Sequence, residues 1–129
     1  PENLLLDYKR SIKVSDFGLS TLTSCDSSYL DTPCGTPNYA PPEMLKGDPY
    51  RGALSDIWSC GIILYAMLCG YLPFAESQEQ IIYEKIMNHD YEYPSFLSKQ
   101  VVDLLKNILK IENNYSKYLK HSNHLFTEF

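Results

Sequence analysis

Two side chains with oxygen atoms flank a short hairpin-like stretch near the start of the chain, and both are of types that bind hard cations. Asp16 follows residues 12–15, which read as a short strand, and Gly18 comes two positions later. A carboxylate at the end of a strand, followed by a glycine that reaches positive φ freely, can hold a hard cation through oxygen. Asn3 supplies a second candidate oxygen ligand. On these residues alone, an ordinary turn Asn and turn Asp remain an equal interpretation.

The elements that would position these two residues are a pair of short strands. Leu4-Leu5-Leu6 and residues 12–15 are separated by polar, turn-like residues 7–11. This pattern predicts a β-hairpin. In an antiparallel pair the start of one strand lies near the end of the other, so we expect Asn3 and Asp16 to meet at one edge.

A long loop is predicted after the hairpin. Residues 19–42 show neither helical nor strand periodicity and are rich in Ser, Thr, Asp, Gly and Pro. Loops of this length inside a compact domain are usually functional or disordered. The many hydroxyl groups in this loop are candidate phosphate acceptors.

A central apolar helix is predicted after the loop. Residues 42–47 read as one helical turn that begins with Pro and ends with Gly. Ser55 and Asp56 are expected to cap a helix over residues 57–69, which Gly70 and Pro73 would stop. About 13 helical residues span roughly 20 Å, which is short for a bilayer. We therefore expect the buried centre of a globular domain and not a membrane span.

Two further helices are predicted in the second half. Residues 77–80 form a candidate capping box for a helix that runs through Met87, and Ser98 is expected to cap the next helix, with an apolar stripe that reaches Ile111. The pattern decays from Glu112 onward, where a last, less regular helix is expected. His121 and His124 there read either as metal ligands on one helix face or as ordinary surface or core histidines.

The bulk composition excludes several function classes. The length of 129 residues suggests one domain. The net charge of −5 does not favour binding to negatively charged nucleic acid. We also expect no membrane binding, since no basic amphipathic stretch is present. The four cysteines form no Cys-x-x-Cys pair, which favours reduced thiols in a cytoplasmic or nuclear protein. They are Cys25, Cys34, Cys60 and Cys69.

Four motifs, in this order, resemble the eukaryotic serine/threonine protein kinases. Residues 1–3 look like the end of the catalytic loop H-R-D-x-x-x-x-N, and residues 16–18 match Asp-Phe-Gly. Residues 35–43 look like the end of the activation segment, and residues 55–61 like the start of the F helix. The stretches 70–74 and 90–94 are similar to those of the calcium/calmodulin and AMP-activated kinase branch.

The resemblance implies a mainly α (α+β) fold, namely the helical C-terminal lobe of a kinase with a small N-terminal β-hairpin and without the N-terminal lobe. Residues 1–129 would be a partial kinase domain, with an activation segment at 16–43 and a degenerate tail at 112–129. The resemblance itself is clear from Pro1 to about Ile111.

The resemblance also implies site residues, with ATP and Mg²⁺ as cofactors. Asn3 and Asp16 would hold the metal, Thr36 would help shape the site for the substrate hydroxyl, and Thr32 would be the activating phosphosite. Thr23, Ser27 and Ser28 compete with Thr32 for that role. The ATP site would use Glu2, Asn3, Leu5 and Asp16. Asp56 would be buried and would accept backbone hydrogen bonds. Ile63 and Met67 would support the adenine from one helix face. Structural roles are implied for six residues in all: Phe17, Gly18, Glu43, Asp56, Ile63 and Met67.

The sequence departs from the family pattern in three ways. The catalytic Asp of H-R-D would lie before Pro1, as would the Gly-rich loop and the phosphate-binding Lys. Pro41 replaces the usual Ala of Ala-Pro-Glu. No Arg occurs in residues 111–116 to pair with Glu43.

Three interpretations follow from the resemblance and its departures. The chain is a fragment of a kinase that phosphorylates Ser or Thr of protein substrates and is activated by an upstream kinase, and alone it is inactive. Alternatively, it is a non-catalytic, pseudokinase-like binding module, or the product of a truncated gene.

Overall fold

The computed structural model of the chain describes residues 2–22 and 29–110. It contains two strands, β1 (Leu4–Leu6) and β2 (Ile12–Val14), and a short 3-10 turn at Pro37–Tyr39. Four helices follow: α1 (Pro42–Lys46), α2 (Gly52–Cys69), α3 (Glu79–Asn88) and α4 (Lys99–Ile108). The predicted fold class, mostly helical with an N-terminal hairpin, is confirmed. The expected last helix, His121, His124 and the stretch without Arg all lie outside the described residues.

The hairpin forms at the predicted place because its turn is stabilised locally. The Asp7 carboxylate accepts hydrogen bonds from the backbone amides of Lys9 (2.8 Å) and Ser11 (2.9 Å). The strands pair antiparallel with Leu4 opposite Val14 and Leu6 opposite Ile12. Most apolar side chains of the two strands are exposed, so the hairpin is joined to the rest of the fold by few buried contacts.

Helix α2 begins one turn earlier than expected, so the prediction that Ser55 and Asp56 cap it is wrong. Arg51 is the N-terminal flanking residue in an extended conformation, and its carbonyl accepts from the amides of Leu54 and Ser55. Ser55 is buried inside the first turns. A serine near a helix start suits the cap and the first turn alike, so the local pattern does not choose between them. The predicted end is confirmed, since Gly70 follows the helix with φ 83°.

The expected buried position of α2 is correct for one side of the helix only. Trp58, Ile62 and Tyr65 are buried, whereas Met67 is 69% exposed and Cys60 is also exposed. The helix is long and apolar enough to cross a membrane by length and composition alone. In the fold its buried side forms the centre of the helical core.

The core contains aromatic residues from α2 and from the loops on either side of α3, together with aliphatic residues from α3 and α4. The Trp58 ring stacks on Phe74 with centroids 6.3 Å apart, and Phe74 meets Tyr91 edge-on at 5.1 Å. The Tyr65 hydroxyl donates to the Glu92 carbonyl at 2.8 Å. These contacts fix the loop after α3 against α2, which the apolar pattern of single helices does not reveal.

Of the two caps predicted for the helices of the second half, one is confirmed and the other is wrong. The Ser98 hydroxyl accepts from the amide of Val101 at 3.3 Å at the start of α4. Helix α3 begins at Glu79 with Gln78 as its flanking residue and no side-chain cap, so the capping box at residues 77–80 does not form. Glu79, in the first turn of α3, accepts from the Tyr83 hydroxyl one turn along at 2.8 Å.

Candidate functional site

The residue with positive φ after β2 is Asp16 and not Gly18. Asp16 has φ 63°, in the left-handed region, and its Oδ1 accepts the amide of Gly18 at 3.1 Å. Asp and Asn reach this region more readily than most residues because their side chains bond locally to the backbone. The expectation of positive φ at Gly18 is therefore wrong. Glycine still matters there, because a Cβ at position 18 would lie 3.1 Å from Asp16 Oδ1.

The register of the hairpin brings Asn3 and Asp16 to the same edge, as predicted. The amide of Ser15 donates to the Asn3 carbonyl at 2.9 Å, and the Ser15 hydroxyl donates to it at 3.2 Å. Asp16 is the next residue in the chain, so Asn3 and Asp16 lie at the same end of the hairpin. Both provide hard oxygen atoms of the kind that Mg²⁺ prefers.

This edge does not form an all-protein metal cage. Within residues 2–22 and 29–110, no group of three or more His, Cys, Asp or Glu side chains could hold a metal ion. Mg²⁺ commonly binds through one or two protein oxygens and completes its shell with water and substrate phosphates. The donor set at Asn3 and Asp16 fits that mode, and the metal role of both residues stays a prediction.

Two apolar residues of the predicted site lie on open surface: Leu5, which the resemblance assigns to the ATP site, and Phe17, to which it assigns a structural role. Leu5 is 52% exposed and Phe17 is 69% exposed. On α2, Ile63 is half-buried while Met67, one turn along the same side, is exposed. The core therefore does not use the side of α2 that the resemblance assigns to the adenine support.

Glu2 lies near the 3-10 turn. A backbone hydrogen bond lowers the pKa of Glu2. Burial raises the pKa of Tyr39, and the charge of Glu2 raises it further. The residues before β1 are thus close to the end of the loop that leads into α1.

Asp56 is exposed in this structure, and its predicted role as an acceptor of backbone hydrogen bonds from the catalytic loop stays a prediction. Partial desolvation raises the pKa of Asp56. Burial raises the pKa of the Cys60 thiol and the charge of Asp56 adds to this effect, as expected for neighbours one helical turn apart. Because α2 begins at Gly52, Asp56 lies inside the helix. Its exposure places it on the side of the helix away from the core.

The end of the loop is attached to α2 through the backbone. The Thr36 carbonyl accepts the amide of Tyr39 at 3.0 Å, which closes the 3-10 turn. The Ser59 hydroxyl of α2 donates to the Tyr39 carbonyl at 2.9 Å. Pro41 is fully buried, and Glu43 is half-buried in the first turn of α1. The Thr36 side chain makes no capping bond and is exposed.

Tyr50 contacts the segment around Thr32 and was not identified from the sequence. Leu30 and Tyr50 form an isolated antiparallel bridge, and the Tyr50 hydroxyl donates to the Thr32 carbonyl at 2.9 Å. The Thr32 hydroxyl is exposed and donates to the Asp31 carboxylate at 3.2 Å. No local pattern predicts a pairing between a loop residue and a residue beyond the next helix. Thr23, Ser27 and Ser28, the competing phosphosites, lie outside the described residues.

Comparison with known proteins agrees with the motifs. The family model of the protein kinase domain matches residues 1–117. CBL-interacting protein kinase 17 of Oryza sativa subsp. japonica is 50% identical over 112 residues, which are 85% of this chain and 25% of that protein. The carbon catabolite-derepressing protein kinase of Candida glabrata is 48% identical over 109 residues, 84% of this chain and 18% of that protein.

The matched relatives are much longer than this chain. The chain spans about a quarter of the length of the rice kinase and less than a fifth of the Candida protein. The names of these relatives agree with the branch that the sequence indicated, and the predicted resemblance to protein kinases is confirmed.

Proposed function

This chain belongs to the protein kinase family, and on that basis we propose that it is part of an ATP-dependent kinase that phosphorylates Ser or Thr of proteins. The observation that carries the proposal is the end of the hairpin that holds both Asn3 and Asp16. In kinases, metal ions bridge the ATP phosphates and neutralise the charge that develops during transfer. An amide and a carboxylate at the same end of a hairpin are suited to hold such an ion.

The chain would contribute positioning and not proton transfer. Asp16 is oriented by its hydrogen bond from Gly18, and Asn3 is oriented by the strand pairing. Leu5, Phe17, Ile63 and Met67 offer apolar surface that the core leaves uncovered. The motif that carries the general base does not occur in residues 1–129, so we propose that this chain alone transfers no phosphate.

Regulation through Thr32 is the second part of the proposal. Its hydroxyl is exposed, and it lies in the segment whose ordering controls kinases. A phosphate there would add a charge of about −1.5 to −2 and new acceptor oxygens. An upstream kinase would be the partner that adds it.

The test is a phosphoryl-transfer assay on the full-length protein that contains this sequence. Peptides identical except for Ser, Thr or Tyr at the acceptor position serve as substrates, with labelled ATP and Mg²⁺. We expect transfer to Ser and Thr peptides, and a loss of at least a hundredfold in Asp16→Ala. Asp48→Ala, which removes an exposed carboxylate remote from the hairpin edge, is the matched control.

Two results would contradict the proposal. Activity of Asp16→Ala close to that of wild type would exclude Asp16 as a metal ligand. A full-length protein that is folded but transfers nothing to any peptide would favour the non-catalytic binding module. Transfer by the isolated 129-residue chain would contradict its proposed inactivity alone.

A further inference from the structure

The segment that contains Thr32 is attached to the chain just before α2 by paired backbone bonds. The amide of Leu30 donates to the Tyr50 carbonyl at 2.8 Å, and the amide of Tyr50 donates to the Leu30 carbonyl at 2.9 Å. Gly52 lies close to the same contact, because a Cβ there would be 3.2 Å from Leu30 Cδ1. The segment and the start of α2 are therefore in close contact.

Tyr50 is itself held firmly by the core. It is 5% exposed and packs with Ala40 and Met44, while Leu30 and Leu45 cover the same cluster. A rotamer fixed by packing gives the hydroxyl a defined position. That hydroxyl donates to the Thr32 carbonyl at 2.9 Å.

The two polar groups of Thr32 have different surroundings. The carbonyl accepts from the Tyr50 hydroxyl, whereas the Thr32 side-chain hydroxyl is exposed and donates to the Asp31 carboxylate. Fixing the backbone through its carbonyl leaves the hydroxyl accessible to another molecule.

We propose that Tyr50 is a positioning residue of the activation segment, which holds the Thr32 carbonyl so that the Thr32 hydroxyl faces solvent in a fixed place. The inference rests on the proposed kinase function for its biological meaning. Its physical content is separate, because the contact exists without a phosphate on Thr32. Tyr50 therefore orders the segment around Thr32 before any modification.

The state of the Tyr50 hydroxyl supports this role. Burial raises the pKa of Tyr50, and the neighbouring Cys34, Asp31 and Asp56 raise it further. The phenol consequently remains protonated, and remains a donor, throughout the physiological pH range. The contact would be lost only in strongly alkaline solution.

The first experiment measures amide hydrogen exchange by NMR in the 129-residue chain. Tyr50→Phe removes only the hydroxyl, and a lost hydrogen bond of ordinary strength corresponds to about fivefold faster exchange. We expect this acceleration at the Leu30 amide. Thr32→Ala should leave that rate unchanged, because the contact uses the backbone carbonyl.

Tyr65→Phe is the matched control. The Tyr65 hydroxyl also donates to a backbone carbonyl, that of Glu92 at 2.8 Å, but at the opposite part of the core. A general loss of stability would accelerate exchange at Leu30 in both variants, whereas positioning by Tyr50 accelerates it only in Tyr50→Phe. Equal rates at Leu30 in wild type and Tyr50→Phe would overturn the inference.

The second experiment uses the full-length protein and separates kinetic parameters. If Tyr50 positions the segment that shapes the peptide site, Tyr50→Phe raises KM for a Ser peptide several-fold and leaves KM for ATP unchanged. Equal KM values for the peptide, together with faster exchange at Leu30, would reduce Tyr50 to a structural role and overturn the positioning claim. If the full-length protein transfers no phosphate, the proposed function fails, and the exchange rate at Leu30 alone decides whether Tyr50 holds the segment.

Discussion

Gly61 sets the distance between α2 and α4, and replacing it by Ala should destabilise the chain. A Cβ at position 61 would lie 2.5 Å from Ile108 Cγ2 and 2.9 Å from Leu109 Cδ2. Carbon atoms in good contact are about 3.5–4.0 Å apart, so one helix must move or both side chains must leave their rotamers. Leu109 is fully buried, which leaves it little room to move.

The sign of the effect distinguishes packing from helix propensity. Ala in place of Gly inside a helix gains about 1 kcal/mol from propensity. Overpacking a well-filled core costs about 1–3 kcal/mol, and two contacts under 3.0 Å place Gly61→Ala in the upper part of that range. We therefore expect a net loss of about 1–2 kcal/mol in the free energy of unfolding.

Urea denaturation measures this change, with the fluorescence of the single tryptophan, Trp58, as the signal. Ala53→Gly, at an exposed position of the same helix, measures the propensity effect separately. Ile108→Leu removes the Cγ2 atom and keeps the volume, so it should recover part of the loss when combined with Gly61→Ala. A Gly61→Ala variant that is more stable than wild type would refute the close packing of α2 on α4.

Three further predictions concern a helix cap, a buried histidine and the loop. Ser98→Ala should lower the free energy of unfolding by about 1 kcal/mol, because the amide of Val101 loses its acceptor. Ser98→Asp should retain most of the stability, since a carboxylate can also accept from that amide. The midpoints of urea denaturation of the two variants measure both effects. Burial lowers the pKa of His89 below its unfolded value of 6.5, so the unfolded chain binds more protons and stability should fall as the pH drops below about 6.5. His89→Gln should reduce this dependence in denaturation between about pH 7 and pH 5.5, and an unchanged slope would contradict it. Phosphosite mapping of the active full-length protein should find phosphate on Thr32, and Thr32→Ala should lower its activity; full activity without phosphate at that position would end this hypothesis.

Local rules were sufficient wherever the stabilising contact lies within a few residues. The hairpin follows from two apolar runs around a polar turn, and Asp7 closes that turn with two backbone bonds. The start of α4 follows from Ser98, and the end of α2 from Gly70. The family resemblance likewise rests on short motifs, and these are sequence properties that the comparisons confirm.

The sequence alone also indicated the candidate site as a pair, because strand pairing converts two distant positions into neighbours. The register places Asn3 and Asp16 at the same end of the hairpin, and their role as a pair stays a prediction. The conformation within that edge was not predictable, since either Asp16 or Gly18 can adopt the left-handed region. Only the folded turn places positive φ at Asp16 and leaves Gly18 as the donor to its carboxylate.

The tertiary structure decided the features that depend on contacts between distant parts of the chain. Helix α2 begins at Gly52, two residues after the position where Tyr50 pairs with Leu30. The residues around Ser55 give no indication of this pairing or of the earlier start. The same holds for Gly61, because Ile108 of α4 and the next residue, Leu109, occupy the space that a side chain at position 61 would need. The sequence shows which residues of a helix are apolar. Packing of the whole core decides which of those residues are covered by other elements, and for this reason α2 buries one side and exposes the other.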